Sequence, residues 1–288
     1  GQVAPRGRGG GRIGRAQVDQ QHAGALRLPG INGGFGLKTH DCIVGHTAAM
    51  TDHRLELARI RAITIDLDDT LWPVWPTIER AQAALVAWLA PQAPRAAALA
   101  NNRSAHLATR QTVLAAHPEI AHDLGAQRLY ILRHMLTQAG EDPALAEPGF
   151  AVFHEARQRV ELFDDALPAL TALAERYPVV ALSNGNADVT RIGIGHHFRA
   201  AVSAAQVGVG KPDARIFHAG ADAAGVRAEE VLHIGDDPTL DGHGALVAGM
   251  QFAWINRLGA PWPPGTQAVQ PHAETRDLAQ LLELLDAA

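Results

Sequence analysis

The chain has 288 residues, 47% hydrophobic and 19% charged, with a formal net charge of -5. That suits a folded protein with one large core or two modest ones and gives nucleic acid no electrostatic reason to bind. The apolar runs are too short to cross a bilayer, and a lone Cys42 excludes an internal disulfide and a thiolate-clustered metal site. The expectation is a cytoplasmic protein, monomeric or homodimeric, without membrane or nucleic-acid partners.

Residues 1–49 carry 12 of the 28 glycines, six Lys/Arg and only two acids. With no sustained apolar periodicity, such a segment cannot bury enough surface to offset the entropy of ordering. It is expected to be disordered. Irregular Gly/Arg spacing without interleaved aromatics argues against an RNA-binding arm, and the first methionine, Met50, makes a mis-assigned start or a tolerated extension the simpler reading.

From Met50 onward, "AITID" (62–66), "VVALS" (179–183), "AAVSA" (200–204), "VLHIG" (231–235) and "QFAWI" (251–255) are compact apolar runs of strand length. Helical patterns fall between most of them, including Ala166–Arg176 and Ala214–Ala224, and a last one covers Thr275–Leu285. This alternation predicts an α/β fold, a Rossmann-like three-layer domain on a parallel sheet. The long connection after the first strand reads as helical near 78–90, 95–116, 121–139 and 150–160. The chain thus divides into a core of 50–71 and 178–288 and an inserted all-helical cap of 72–177, since a structureless loop of that length is implausible.

Ligands of open parallel sheets bind beyond the carboxyl ends of the strands, and there the chain concentrates charge. "DLDDT" puts Asp66 and Asp68 at the end of the first strand; two apart in extended chain, both can face one region. "HIGDDPTLDGHG" adds Asp236, Asp237 and Asp241. Carboxylates crowded in one pocket need a cation, and hard oxygen donors without thiolates favour Mg²⁺. Asp69 and Asp237 serve equally well as caps or turn residues. Lys211 is the only lysine after Lys38, in a chain that otherwise uses arginine; a compact ammonium suits a point contact with phosphoryl and carboxylate oxygens. "ALSNGNA" ends its strand with small polar groups and open backbone donors of the kind that hold phosphate.

D-x-D-x-T, Ser-Asn, Lys-Pro and G-D-D-x-x-x-D, in that order, resemble the four motifs of the haloacid dehalogenase superfamily, with a helical cap between the first two. "PEIAHDL", "YPVVALSNGNA" and "LHIGDDPTLDGHGALVAGMQFAWINR" look more narrowly like the bacterial branch of FMN and 5-amino-6-(5-phospho-D-ribitylamino)uracil phosphatases of riboflavin biosynthesis. The resemblance implies a Mg²⁺-dependent phosphatase acting on a small phosphomonoester through an aspartyl-phosphate. Asp66 would be the nucleophile and Asp68 the general acid and base. The acidic set Asp66, Asp68, Asp236 and Asp241 would serve the metal, Asp68 through its main-chain carbonyl and Asp241 from behind, orienting Lys211. Thr70, Ser183, Asn184 and Lys211 would bind the phosphoryl oxygens. A sugar phosphatase or phosphomutase, a phosphoglycolate phosphatase, and a non-catalytic phospholigand binder are the alternatives. Haloacid dehalogenation is disfavoured, because that branch lacks the acid two residues after the nucleophile. Trp72, Trp75, Arg103, Arg110, His122, Arg128, Arg157 and Arg159 are candidates for touching the leaving group, with Trp72 or Trp75 stacking on a flat ring.

Overall fold

The computed structural model describes residues 54–264 and 270–287; the extension of residues 1–49 lies outside them. Among these described residues six parallel strands form one sheet: β1 (Ala62–Ile65), β2 (Val179–Ser183), β3 (Ala200–Ser203), β4 (Val231–Gly235), β5 (Gln251–Ile255) and β6 (Ala273–Thr275), in the order β3-β2-β1-β4-β5-β6. β1, β2, β4 and β5 are buried along their whole length, as strands covered on both faces must be. Side chains alternate between two apolar layers. Ile63, Ile65, Val179, Ala181, Leu232 and Ile234 face one cluster, and Ala62, Val180, Leu182, Val231, Phe252 and Trp254 the other.

The described residues also form eleven α-helices: α1 (Val74–Leu89), α2 (Pro94–Ala100), α3 (Arg103–Ala116), α4 (Leu124–Gln138), α5 (Ala146–Arg157), α6 (Ala166–Arg176), α7 (Val189–Ile192), α8 (Ala204–Val207), α9 (Ala214–Ala224), α10 (Gly244–Val247) and α11 (Leu278–Asp286). Buried residues of α6 and α11 belong to the first layer and those of α9 and α10 to the second. Helices α1 to α5 form a cap with its own core, including Leu85, Leu89, Val113, Leu132, Met135 and Phe153. Gly149 of α5 sits so close to its neighbours that an added Cβ would lie 3.0 Å from Leu132 and 3.2 Å from Leu85 and Trp88.

Several expected boundaries move. The helix read over 95–116 is two helices, because Asn102 caps a new one by accepting a hydrogen bond from Ala105 N at 3.0 Å. α6 lies inside the expected cap of 72–177, yet Ala166, Ala169, Leu170 and Leu173 pack against the sheet, so the cap's own packing ends ahead of Ala166. The last helix begins at Leu278, since Thr275 closes β6. That strand escaped the sequence reading because "AET" contains no apolar run.

Entry to and exit from the cap lie side by side, with Phe163 N donating to Leu71 O at 2.9 Å. Arg257 braces both crossings: Nη2 donates to Thr70 O at 2.8 Å and to Asp165 Oδ2 at 2.9 Å, and Nη1 to Asp165 Oδ1 at 3.0 Å. Among the described residues no helix is long and apolar enough to cross a membrane.

Candidate active site

The chain reverses its direction of travel across the sheet at β1, which pairs with β2 on one side and β4 on the other. The crevice at such a switch is where open parallel sheets bind ligands, and it holds the ends of "ITIDLDDT" and "LHIGDD". Asp66, Lys211 and Asp241 are all buried there, at 7%, 6% and 1% exposure. Lys211 Nζ donates to Asp66 Oδ1 and to Asp241 Oδ1, each at 2.6 Å. Carboxylate oxygens of Asp66, Asp236 and Asp241 lie within 4.8 Å of one another. Asp236 Oδ1 accepts from Thr70 Oγ1 at 3.2 Å, and its carbonyl accepts from Trp254 Nε1 at 2.8 Å.

One ammonium among three carboxylates leaves the crevice short of positive charge. Burial, reinforced by Asp241, outweighs the attraction of Lys211 and pushes the Asp66 carboxyl up to about 7. Burial with the charges of Asp241 and Asp66 pushes Asp236 up to about 9. Asp241 goes the other way: although burial opposes it, Lys211 and His233 hold it well below the usual carboxylate range. The closeness of the Asp66, Asp236 and Asp241 carboxylates forms a group that could hold a metal ion. Asp66 and Asp236 offer hard oxygen donors suited to Mg²⁺, with the Asp68 carbonyl as the expected third protein donor.

Asp241 is already engaged. Its Oδ1 accepts from Lys211 Nζ and from His233 Nε2 at 3.1 Å, and its Oδ2 from Asp237 N at 3.0 Å. These contacts make it the anchor of Lys211, and its carboxylate also belongs to the acidic group that could hold a metal ion. Gly235 makes room for it: a Cβ there would fall 2.4 Å from Asp241 Cγ. His233, fully buried on β4, was not among the sequence candidates; its Nδ1 shares a 2.8 Å hydrogen bond with Thr64 Oγ1.

Asp68 stands near enough for its charge to act on the Asp66 carboxyl, while its hydrogen-bond partners are other residues. Its carboxylate accepts from Arg157 Nη2 at 2.6 Å and 2.7 Å and from Trp72 Nε1 at 2.8 Å. Arg157 comes from the end of α5 and is 1% exposed, so a cap residue grips the core's acid. Asp69 takes a left-handed conformation, φ 58°, which Asp tolerates, and its Oδ1 accepts from Val74 N at 2.8 Å, starting α1. Asp237 caps the turn after β4 by accepting from Thr239 N and Leu240 N. Both are structural.

Ser183 Oγ accepts from Gly185 N at 2.9 Å, shaping the turn after β2. Asn184 forms a reciprocal pair with the Lys211 main chain, Nδ2 donating to Lys211 O at 2.9 Å and Oδ1 accepting from Lys211 N at 2.7 Å. The amide expected to bind phosphoryl oxygens thus locks Lys211 in position. Of the tryptophans, Trp72 is fully buried and cannot stack on a ligand, whereas Trp75 is 61% exposed. Trp75, Arg110, Arg128 and Arg157 line a cavity of about 350 Å³ between cap and crevice, with Asp68 and Gly185 on its core side. Arg103 and Arg159 are exposed and His122 is half-buried; none of the three lines that cavity.

Comparison with known proteins identifies the family. Residues 60–249 match the haloacid dehalogenase-like hydrolase family. The chain is 33% identical over 234 residues, 80% of its length and 98% of the relative's, to the 5-amino-6-(5-phospho-D-ribitylamino)uracil phosphatase YigB of Escherichia coli. It is 34% identical to a phosphoserine phosphatase of Thermus thermophilus, over 49% of this chain and 59% of that one. Among solved structures, a protein described as a 2-haloacid dehalogenase from Pseudomonas syringae superposes with a TM-score of 0.72 at 39% identity, covering 79% of this chain and 99% of its own.

Proposed function

This chain belongs to the haloacid dehalogenase-like hydrolases and is a phosphatase, and on that premise we propose that it cleaves a phosphomonoester in two displacements at Asp66, with Mg²⁺ as its cofactor. The observation that carries this reading is the meeting of Asp66, Asp236 and Asp241 with Lys211 at the carboxyl ends of β1 and β4.

Lys211 occupies Asp66 Oδ1, which leaves Oδ2 for attack on phosphorus. As that bond forms, the ester oxygen departs with the bonding pair and takes a proton from Asp68, giving the alcohol and an aspartyl-phosphate. Water then attacks the same phosphorus and yields its proton to Asp68; the acyl–phosphate bond breaks, and Asp66 is regenerated with inorganic phosphate. Lys211, anchored by Asp241 and by the Asn184 amide, meets the charge on the transferring oxygens from a fixed position. Thr70 and the turn after β2 would supply further donors. Mg²⁺, held by Asp66, Asp236 and the Asp68 carbonyl, would add Lewis-acid charge neutralisation.

For the leaving group, the whole-length similarity to YigB and the cap cavity support 5-amino-6-(5-phospho-D-ribitylamino)uracil, or FMN, which would place the chain in riboflavin biosynthesis. An unhindered terminal phosphate can reach Asp66 while a flat ring stays in the cavity beside Trp75. The similarity to a protein described as a dehalogenase raises halide displacement as a second reading. A halide leaves as a weak base and requires no proton donor, whereas an alkoxide does, and Asp68 with its two donors is the part halide chemistry leaves unused. Phosphate release from p-nitrophenyl phosphate with and without Mg²⁺, beside halide release from 2-chloropropionate, tests the class. A panel of ribityl, sugar and glycolate phosphates tests the substrate. Halide release without phosphate release would overturn the phosphatase reading.

A further inference from the structure

The cap side of the cavity carries positive charge that the reacting phosphoryl group does not use. Among the described residues three guanidiniums line it, those of Arg110, Arg128 and Arg157, and Asp68 is the one lining carboxylate. Arg157 takes that carboxylate with Nη2, while its Nη1 is buried and has no hydrogen-bond partner among the described residues. Arg128 has a neutral partner, donating from Nη1 to Gln82 Oε1 at 2.9 Å, with its guanidinium carbon 3.6 Å above the Phe153 ring. Arg110 donates from Nε to Gln127 Oε1 at 3.2 Å.

Charges held in this way are costly without an anion. Burial and the charge of Arg157 push Arg128 down to about 10, and burial with the charges of Arg128 and Arg110 pushes His106, on the same wall, down to about 4. Lys211, buried beyond Asp68 in the crevice, serves the phosphoryl group. Planar guanidiniums pair best with planar oxygen edges, and Trp75, Ile78 and Phe153 offer apolar walls to a flat group.

We infer that the cap cavity selects a leaving group bearing a planar, oxygen-rich edge, either a carboxylate or the imide edge of a ring, held by Arg128 and Arg110 with Arg157 Nη1 at its near end. This rests on the phosphatase reading and narrows it. A phosphomonoester whose alcohol carries only hydroxyls leaves the two glutamine-bound arginines uncompensated and is a poorer substrate.

The test uses two matched pairs with the full-length protein. One sets 5-amino-6-(5-phospho-D-ribitylamino)uracil against ribitol 5-phosphate; the other sets phosphoserine against phosphoethanolamine. At least one edge-bearing member should exceed its partner by roughly tenfold or more in kcat/KM, since charge-assisted hydrogen bonds are the strong ones. The uracil pair reports an imide and the serine pair a carboxylate. Arg128→Met and Arg110→Met should bring that ratio towards one. Arg128→Lys keeps the charge, loses the fork, and serves if the Met variant fails to fold. Calorimetry with the dephosphorylated 5-amino-6-(D-ribitylamino)uracil and with L-serine, each against a partner lacking the edge, reads the cavity without turnover. Ratios near one in both pairs, or ratios unmoved by the substitutions, overturn the inference while the phosphatase reading stands. Absence of phosphate release from every ester overturns the phosphatase reading, and the calorimetry then decides the cavity alone: no binding of either probe overturns the inference.

Discussion

Gly235→Ala changes no functional group, yet it should disable the crevice. The new Cβ would lie 2.4 Å from Asp241 Cγ, 2.5 Å from Oδ2 and 2.6 Å from Cβ, so the Asp241 side chain must leave. With it go the 2.6 Å contact to Lys211, the 3.1 Å contact to His233 and the 3.0 Å contact to Asp237 N. Breaking a buried ion pair by displacing one partner costs about 3–5 kcal/mol. At about 2–4 °C per kcal/mol for a domain of this size, the melting temperature should drop by roughly 10 °C. Turnover should fall with it, because Lys211 loses the anchor that balances its pull toward Asp66. Because the effect runs through one neighbour, the mutant cycle with Asp241→Ala should be strongly non-additive, the double variant being little worse than Asp241→Ala alone. Thermal unfolding of the four proteins and phosphate release from p-nitrophenyl phosphate give both readouts. Additive losses, or a Gly235→Ala protein with wild-type melting and turnover, would refute the reasoning.

Asp66→Asn should lower turnover by about 10³-fold or more and leave circular dichroism unchanged, since the amide keeps the shape and loses the nucleophile; substantial residual turnover would exclude an aspartyl-phosphate. Lys211→Arg should also be damaging, by roughly 10²-fold in kcat/KM, because a forked guanidinium cannot occupy a site where one nitrogen touches two carboxylates at 2.6 Å; kinetics on a small aryl phosphate measure it. The pH dependence of stability follows from the raised carboxyls. Folded Asp66 and Asp236 keep their protons to about 7 and about 9, whereas unfolded they release them near 3.8. The folded state therefore binds more protons in between, and stability falls as pH rises. His106, His197 and His233, pushed down by burial from 6.5, contribute the opposite slope only below that value. The fall should thus be read between about pH 7 and 9 in EDTA, and Mg²⁺ should stabilise more strongly the higher the pH; a flat or rising profile in EDTA would contradict the charge balance assigned to the crevice.

Much of the crevice was legible because its chemistry is written in residues that make poor core. Acids at the ends of Val/Ile/Leu runs, and one lysine in an arginine-using chain, stand out against their surroundings. Groups that work through another residue carry no such signal. His233 reads as one more strand residue, and only the position of Asp241 beside it gives it a role. Asn184 announces a polar turn, yet nothing local shows that its amide closes on the Lys211 main chain 27 residues away. Trp72 and Trp75 look alike in sequence. The register of the loop after β1 buries the first against Asp68 and leaves the second at the cavity. Arg257 pairs with Asp165 across 92 residues, a distance at which sequence spacing says nothing.

The hydrogen bond joining Leu71 to Phe163 makes the chain's path into the cap and its path out a pair of neighbours, whatever lies between them. Closing a loop across such a gap becomes only slowly more expensive as the loop lengthens, so the sheet tolerates helices gained, lost or exchanged in that insert. Selection for a new leaving group can therefore act on α1 to α5 while Asp66, Lys211 and Asp236 stay fixed on an untouched scaffold. The insert is nevertheless tied to the core at the end of α5, where Arg157 grips Asp68 and where His154 and Glu155 meet Asn186 and Arg191. A lineage that rebuilt the insert without replacing the Arg157 grip would leave the Asp68 carboxylate, among the described residues, with Trp72 as its remaining side-chain partner.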